Sequence, residues 1–217
     1  MIRVTHMRWT IAIAAAAIAL TAAALGGRGH GIAQLVIADQ RAWSEPWRLW
    51  LGPLVHATWG HLARDVGLVV ILGALVEPRV AGYARVVIAG LCAPAIAVLA
   101  SGADGYLGLS GLVYALLAAA LVHEAVTRRG GSRAIVVGLG ALLAIKVVLE
   151  AIAPDASTLS ILPRGAWLAL GPRVHQAPLA HLAGAAAGVL ASSSVSRSAW
   201  RRSRRSRSSP APRPSPA

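Results

Sequence analysis

The 217-residue sequence has one cysteine, no phenylalanine and few acidic residues. The single cysteine, Cys92, excludes an internal disulfide and any multi-cysteine metal centre, and we expect neither a metal nor another cofactor. Only 13% of the residues are charged, whereas 56% are hydrophobic, and the mean hydropathy is +0.63. This composition excludes an ordinary soluble domain and is typical of a membrane protein.

Long apolar runs fill most of the chain. A bilayer crossing takes about 20 apolar residues, and six runs approach that length, at 9–26, 53–76, 83–101, 108–126, 134–153 and 178–196. We therefore expect an all-α membrane protein with a bundle of six transmembrane helices in residues 1–196. A cleaved secretory signal over 1–25 is the less favoured reading, because the remaining spans would then need the reverse orientation.

The net charge of +13 is explained mainly by orientation. Alternation from a cytoplasmic N-terminus puts most of the 21 basic residues inside, so the positive-inside rule places both termini in the cytoplasm. Residues 197–217 are rich in Arg, Ser and Pro, which predicts a disordered cytoplasmic tail. We interpret its arginines as a topology anchor on anionic lipid rather than an RNA-binding segment, and expect no nucleic-acid partner.

A serine and a histidine open two of the apolar runs. Ser110 lies just inside the fourth run, and Tyr114 lies one helical turn deeper on the same face. His181 opens the last run, in which Gly184 and Gly188 form a small-xxx-small ridge suited to close helix contact. Close approach of the two helices would make Ser110 and His181 a candidate dyad.

The second run begins with a concentration of polar residues that is unusual in lipid. His56 is followed by His61 and Asp65, which are four residues apart and so share a helix face. Ionisable groups in a span normally face the bundle interior or a wet cavity and mark a site. We expect these groups to lie in the outer third of the second span, at the depth of Ser110 and His181.

Other polar residues have simpler structural readings. Lys146 and Glu150 are four apart in the fifth run and are predicted to neutralise each other. Glu77, at the end of the second run, is predicted to anchor Arg79 or Arg85. The loop over 26–52 carries several tryptophans, which favours a half-embedded position in the headgroup layer.

In order and spacing, these residues resemble the rhomboid family of intramembrane serine proteases over nearly all of the six-span region. The matching segments are Trp47-Arg48, His56, His61-x-x-x-Asp65, Gly73-x-x-x-Glu77, Gly108-Leu109-Ser110-Gly111 with Tyr114, and His181-x-x-Gly184-x-x-x-Gly188. The short chain, the Gly-Leu-Ser-Gly-Leu-Val opening and the Lys146-x-x-x-Glu150 pair resemble the rhombosortase branch. Members of that branch are thought to process proteins with a glycine-rich C-terminal membrane anchor.

The resemblance implies a role for each polar residue. Ser110 would be the nucleophile and His181 the general base and later the general acid, with Tyr114 stacked on His181. His61 and the backbone N–H of Ser110 would stabilise the oxyanion. The family pattern has asparagine where this chain has Asp65, which we expect to complete the oxyanion hole as a neutral, protonated acid.

The resemblance also implies the partners and the location. We expect substrates that are single-span membrane proteins, in the inner or plasma membrane of a bacterium. Two other functions are weighed against proteolysis. A non-catalytic rhomboid-like protein that binds membrane clients is favoured only by Asp65, and a small transporter is disfavoured because the sequence lacks paired broken helices and internal repeats.

Overall fold

The computed structural model describes residues 7–26, 35–103, 105–152 and 178–207, with side chains described up to residues 149 and 193 in the last two ranges. Seven α-helices lie within these ranges: α1 Arg8–Leu25, α2 Arg48–Leu51, α3 Trp59–Val76, α4 Tyr83–Ala100, α5 Ser110–Thr127, α6 Gly131–Ile152 and α7 Pro178–Arg207. Two 3₁₀ segments, Gln40–Trp43 and Gly52–Leu54, flank α2. The described residues form no regular strand, only an isolated bridge between Ala38 and Tyr106.

Five of these helices, α1 and α3 to α6, are long and apolar enough to cross a bilayer. The apolar part of α7, Pro178–Ser193, is shorter. Helices satisfy their own backbone hydrogen bonds, as a span in lipid must. The predicted all-α, multi-pass membrane bundle is therefore confirmed.

The second span begins later than the sequence predicted. Helix α3 starts at Trp59 rather than at residue 53, because Thr58 is extended and its side chain accepts a hydrogen bond from the N–H of His61 at 3.1 Å. Such a cap ends the run of non-helical backbone and begins the helix. His56 therefore lies in the loop before α3, while His61 and Asp65 are on the helix.

The last helix ends later than predicted. Helix α7 continues to Arg207, so residues 197–207, which we expected to be part of a disordered tail, are helical. Extending an existing helix fixes one residue per hydrogen bond and avoids the cost of a new nucleus. The remaining tail residues, 208–217, lie outside the described part of the chain.

Helix α5 is at the centre of the bundle and packs against α3, α4, α6 and α7. Its buried face includes Leu112 and Leu116, which with Leu109 just before the helix are no more than 1% exposed. Helix α6 lies at the edge of the bundle, and large side chains such as Ile135 and Leu142 are more than 60% exposed. An apolar helix of this kind is suited to lipid on its outer side.

The glycine ridge of α7 lies directly on the backbone of α5. A Cβ atom added to Gly184 would collide with the carbonyl group of Gly111, and one added to Gly188 would collide with that of Ala115. The predicted small-xxx-small contact is confirmed. It sets the closest approach of α7 to the helix that begins with Ser110.

Helix α1 is an integral part of the bundle. The carboxylate of Glu77 accepts hydrogen bonds from the backbone N–H groups of Trp9 and Thr10 at 3.0 Å and from the Thr10 hydroxyl at 2.7 Å. We had predicted that Glu77 would anchor Arg79 or Arg85, but a carboxylate is also favourable at the free N–H groups of a helix N-terminus. Glu77 therefore ties the start of α1 to the end of α3.

The described part of the first loop, from residue 35, folds over the end of α4 and the turn before α5. Its Arg48 is 1% exposed, pairs with Glu45 and donates to the carbonyl of Ile37 at 3.1 Å. In contrast, Trp43, Trp47 and Trp50 are at least 46% exposed. Exposed indoles around a buried, paired arginine agree with the predicted headgroup position.

The glycine ridge gives a test of stability. Gly188→Ala should destabilise the protein by about 1–3 kcal/mol, because the new methyl group would push α7 away from α5. Gly67→Ala in α3 is the matched control, because a Cβ there meets no atom within 4 Å; it should be neutral or stabilising by up to about 1 kcal/mol. Thermal unfolding in detergent, followed by helical circular dichroism, measures both. Equal melting temperatures for the two variants would contradict the close contact.

Candidate active site

Ser110 is the first residue of α5 and is half-buried. Its N–H has no partner within the helix, because the first turn of a helix leaves its N–H groups free. Two residues earlier, Gly108 adopts φ +97°, a left-handed conformation that favours glycine. A Cβ on Gly108 would also lie 2.8 Å from Cε1 of His61. Glycine at this position therefore lets the turn over residues 108–111, called the serine turn below, approach His61.

Tyr106, which the sequence did not single out, contacts the first turn of α5 beside Ser110. Its hydroxyl accepts a hydrogen bond from the N–H of Gly111 at 3.2 Å and interacts with the side chain of Ser110. Burial raises the pKa of Tyr106 to about 12, so this hydroxyl keeps its proton at physiological pH. The only signal in the sequence was an aromatic residue just before the serine motif.

His181 is brought to α5 by Tyr114. The two rings stack with a centroid separation of 4.2 Å and an interplanar angle of 15°. Tyr114 follows Ser110 by one turn, and residues four apart on a helix are about 5–6 Å apart at their Cβ atoms. The stack and the contact of Gly184 with Gly111 together place His181 beside the first turn of α5.

Lys146 of α6 is the second polar residue whose position was not foreseen. Its ammonium group donates to the hydroxyl of Tyr114 at 2.6 Å and lies 5.2 Å from the centre of the ring. We had predicted a pair with Glu150, whose side chain lies outside the described residues, so that pairing stays a prediction. The lysine extends the stack into a chain of three side chains from three helices.

His56, His61 and Asp65 form a buried cluster against the serine turn. Oδ2 of Asp65 lies 3.2 Å from Nε2 of His61 and 3.5 Å from Nε2 of His56, and the two imidazole rings meet edge to face at 4.9 Å. The other carboxylate oxygen, Oδ1, lies 3.6 Å from Nε of Arg64, whose side chain is 40% exposed. The predicted common face of His61 and Asp65 is confirmed.

His56 lies in the loop before α3, and three partners fix the position of its ring. Its Nδ1 lies 3.2 Å from the carbonyl oxygen of Leu54 and 3.3 Å from the hydroxyl of Thr21. Its Nε2 accepts from the N–H of Leu109 at 3.4 Å. A ring with Nδ1 protonated satisfies the contacts to Leu54 and Leu109 at once.

The predicted site residues thus lie at the same end of the bundle: Ser110, Tyr114, His181, His56, His61 and Asp65. The His56, His61 and Asp65 cluster reaches the serine turn through Gly108 and Leu109, and His181 reaches it through Tyr114. The chemistry this arrangement can perform depends on a serine hydroxyl, imidazoles and the free N–H groups of a helix start.

Comparison with known proteins identifies the family. The sequence model of the Rhomboid domain matches residues 44–198, which is more than half of the chain. The chain belongs to the rhomboid family. Rhomboid proteins are generally serine proteases that act on membrane proteins within the bilayer, although some members are inactive. No curated protein and no solved structure matches the chain.

The bond between Lys146 and Tyr114 can be tested with a double-mutant cycle. Tyr114→Phe keeps the ring stacked on His181 but removes the hydroxyl, and Lys146→Met removes the ammonium group. Each change should lower the cleavage rate by roughly 10- to 150-fold, because a hydrogen bond to a charged group contributes about 1.5–3 kcal/mol.

The double variant should be no slower than either single variant, because both changes remove the same bond. The measurement is kcat and KM on a membrane substrate, with the loss expected in kcat. Independent, multiplied effects would show that Lys146 does not act through Tyr114.

Proposed function

We propose that this rhomboid is an intramembrane serine endopeptidase in which Ser110 is the nucleophile and His181 the general base. The observation that carries the proposal is the stack of His181 on Tyr114, one helical turn from Ser110, on helices locked together at Gly184 and Gly111. A small serine or a lone histidine at a helix contact is ordinary packing. An imidazole aligned by an aromatic ring at the first turn of a serine helix is the arrangement that a dyad needs.

The reaction follows acyl-transfer chemistry. Nε2 or Nδ1 of His181 takes the proton of Ser110 as Oγ attacks the scissile carbonyl carbon, and the carbonyl oxygen becomes an oxyanion. Collapse of this intermediate breaks the C–N bond, and the imidazolium gives its proton to the leaving amine. Water then attacks the acyl-enzyme in the same way and frees Ser110.

His61 and the backbone N–H of Ser110 form the oxyanion hole in this proposal. The N–H is free because Ser110 starts the helix, and His61 lies against the same turn at Gly108. Asp65 contributes to the oxyanion hole indirectly, by orienting His61. Oδ2 of Asp65 lies 3.2 Å from Nε2 of His61. We favour this indirect role over the direct donation expected from the sequence, because the carboxylate oxygen faces the imidazoles.

The substrate in this proposal is a single-span membrane protein cut near the outer face. A peptide bond held in a helix is not accessible to a serine, so the scissile segment must unwind. Resemblance of the serine motif to the rhombosortase branch leads us to propose a glycine-rich C-terminal membrane anchor as the target. Glycine lowers the cost of local unwinding because it is a poor helix former.

The alternative is a non-catalytic rhomboid that binds membrane clients. It shares the fold and the stack but needs no reactive hydroxyl. A fluorophosphonate probe separates the two functions, because it labels an activated serine and not an ordinary one.

The dyad can be tested by substitution. Ser110→Ala and His181→Ala should each lower cleavage of a membrane substrate by roughly 10³-fold or more, and the double variant should reach the same residual rate, because the two groups act as one unit. Fluorophosphonate labelling of the wild type should be lost in Ser110→Ala. Normal turnover in His181→Ala, or an unlabelled wild type with normal client binding, would overturn the protease assignment.

The substrate proposal has its own measurement. In a single-span reporter, replacing the glycines near the outer end of the span by leucine should slow cleavage by at least about tenfold, because Leu stabilises a helix by about 1 kcal/mol per residue over Gly. The same replacements at the inner end serve as the matched control and should have little effect. Equal cleavage of all three reporters would show that unwinding of the outer segment does not select the substrate.

A further inference from the structure

The cluster of His56, His61 and Asp65 has the composition and the spacing of a metal site. One ligand atom from each residue lies within 4.8 Å of the others. Bonds of 2.0–2.2 Å to a tetrahedral zinc ion put neighbouring donors about 3.3–3.6 Å apart. The separations of 3.2 Å and 3.5 Å from Oδ2 of Asp65 to the two Nε2 atoms are close to that range. The ligand nitrogens of the two imidazoles lie within 4.8 Å of each other, and they would move closer together to share one ion.

The hydrogen bonds around the cluster leave room for a cation. Nδ1 of His61 is buried and has no hydrogen-bond partner among the described residues, and the contacts of Oδ2 of Asp65 with the two Nε2 atoms do not have hydrogen-bond geometry. The contacts of His56 with Leu54 and Leu109 favour a proton on Nδ1 and a lone pair on Nε2, and a bound ion would take this lone pair over from the long 3.4 Å hydrogen bond of the Leu109 N–H. That lone pair and a carboxylate oxygen then face each other at 3.5 Å. Two electron-rich atoms in this arrangement are stabilised by a positive ion between them.

The surroundings also fit a ligand set. A histidine that binds a metal usually donates its other N–H to a backbone carbonyl, which is the relation between Nδ1 of His56 and Leu54. The side chain of Asp65 is 3% exposed and that of His61 is 11% exposed, so the cluster is buried but not fully closed to solvent. An asparagine at position 65 would offer only a neutral oxygen, so Asp65 is what makes the set anionic.

We propose that His56, His61 and Asp65 bind one Zn²⁺ ion, and that bound zinc inhibits peptide hydrolysis. Two imidazoles and one carboxylate suit zinc, whereas Mg²⁺ and Ca²⁺ take mainly oxygen ligands. The inhibition rests on the proposed function, because the ion would take His61 away from the oxyanion. The binding itself does not depend on that function.

Binding is tested in the full-length Ser110→Ala protein, in detergent and after removal of metals with a chelator. Titration of Zn²⁺ against a chromophoric chelator should show one tight site per chain, and Mg²⁺ or Ca²⁺ should not compete. Asp65→Asn in the same background should weaken zinc binding by at least tenfold. His123→Ala, at the opposite end of α5, is the matched control and should bind as the parent does. No tight site in the parent, or equal binding by the Asp65→Asn variant, would overturn the proposal.

A second measurement covers the case in which Asp65→Asn does not fold. X-ray absorption of the zinc-loaded Ser110→Ala protein should show two imidazole ligands and further oxygen donors at distances typical of zinc. A spectrum of oxygen donors alone would place the ion elsewhere and refute the site.

Inhibition is tested in the wild-type enzyme. Zinc should stop cleavage with the midpoint found for binding, and a chelator should restore it. Zinc bound at this cluster without loss of turnover would refute the inhibitory role. Absence of proteolysis in the metal-free wild type would instead refute the proposed function, and leave the binding result as it stands.

Discussion

The candidate site depends on how closely α7 approaches α5. Gly184 and Gly188 rest on the carbonyl groups of Gly111 and Ala115, with no space for a Cβ atom. Between helices in lipid there is little hydrophobic driving force, so such van der Waals contact of backbones carries much of the association. The same contact decides where His181 lies, because His181 is about one helical turn before Gly184 on α7. Loss of the ridge would therefore affect both stability and the alignment of His181.

Polar side chains form the second framework of the bundle. A buried polar group without a partner costs free energy, and lipid offers no water to replace the partner. In this protein such groups join helices: Glu77 holds the start of α1, Thr10 contacts the hydroxyl of Tyr83 at 2.9 Å, and Thr21 contacts His56. Helix α1 is thus fixed at both ends, and Thr21 near its C-terminal end contacts His56, the histidine that accepts from the N–H of Leu109.

Prediction from the sequence succeeded where the signal is local and failed where a tertiary partner decides. The apolar runs found the spans, and the i, i+4 spacing found the common face of His61 and Asp65, because both follow from helix geometry. The start of α3 was placed too early, because Pro53 to Thr58 are apolar or neutral and the cap at Thr58 is a single side-chain bond. The predicted partner of Glu77 was wrong. Its carboxylate instead accepts from free N–H groups at the start of α1, and the nearer of these in sequence, that of Thr10, is 67 residues away.

By itself, the sequence determined the class of protein, the number of apolar runs and the resemblance to rhomboid proteins, because composition and spacing record lipid exposure and helix periodicity. It also singled out Ser110, His181, His61 and Asp65. Only the tertiary structure decided that Tyr106 lies under the serine, that Lys146 binds Tyr114, and that His56 faces Asp65. These contacts join residues on different helices or loops, and no local pattern fixes them, because they depend on how the helices rotate and pack against one another.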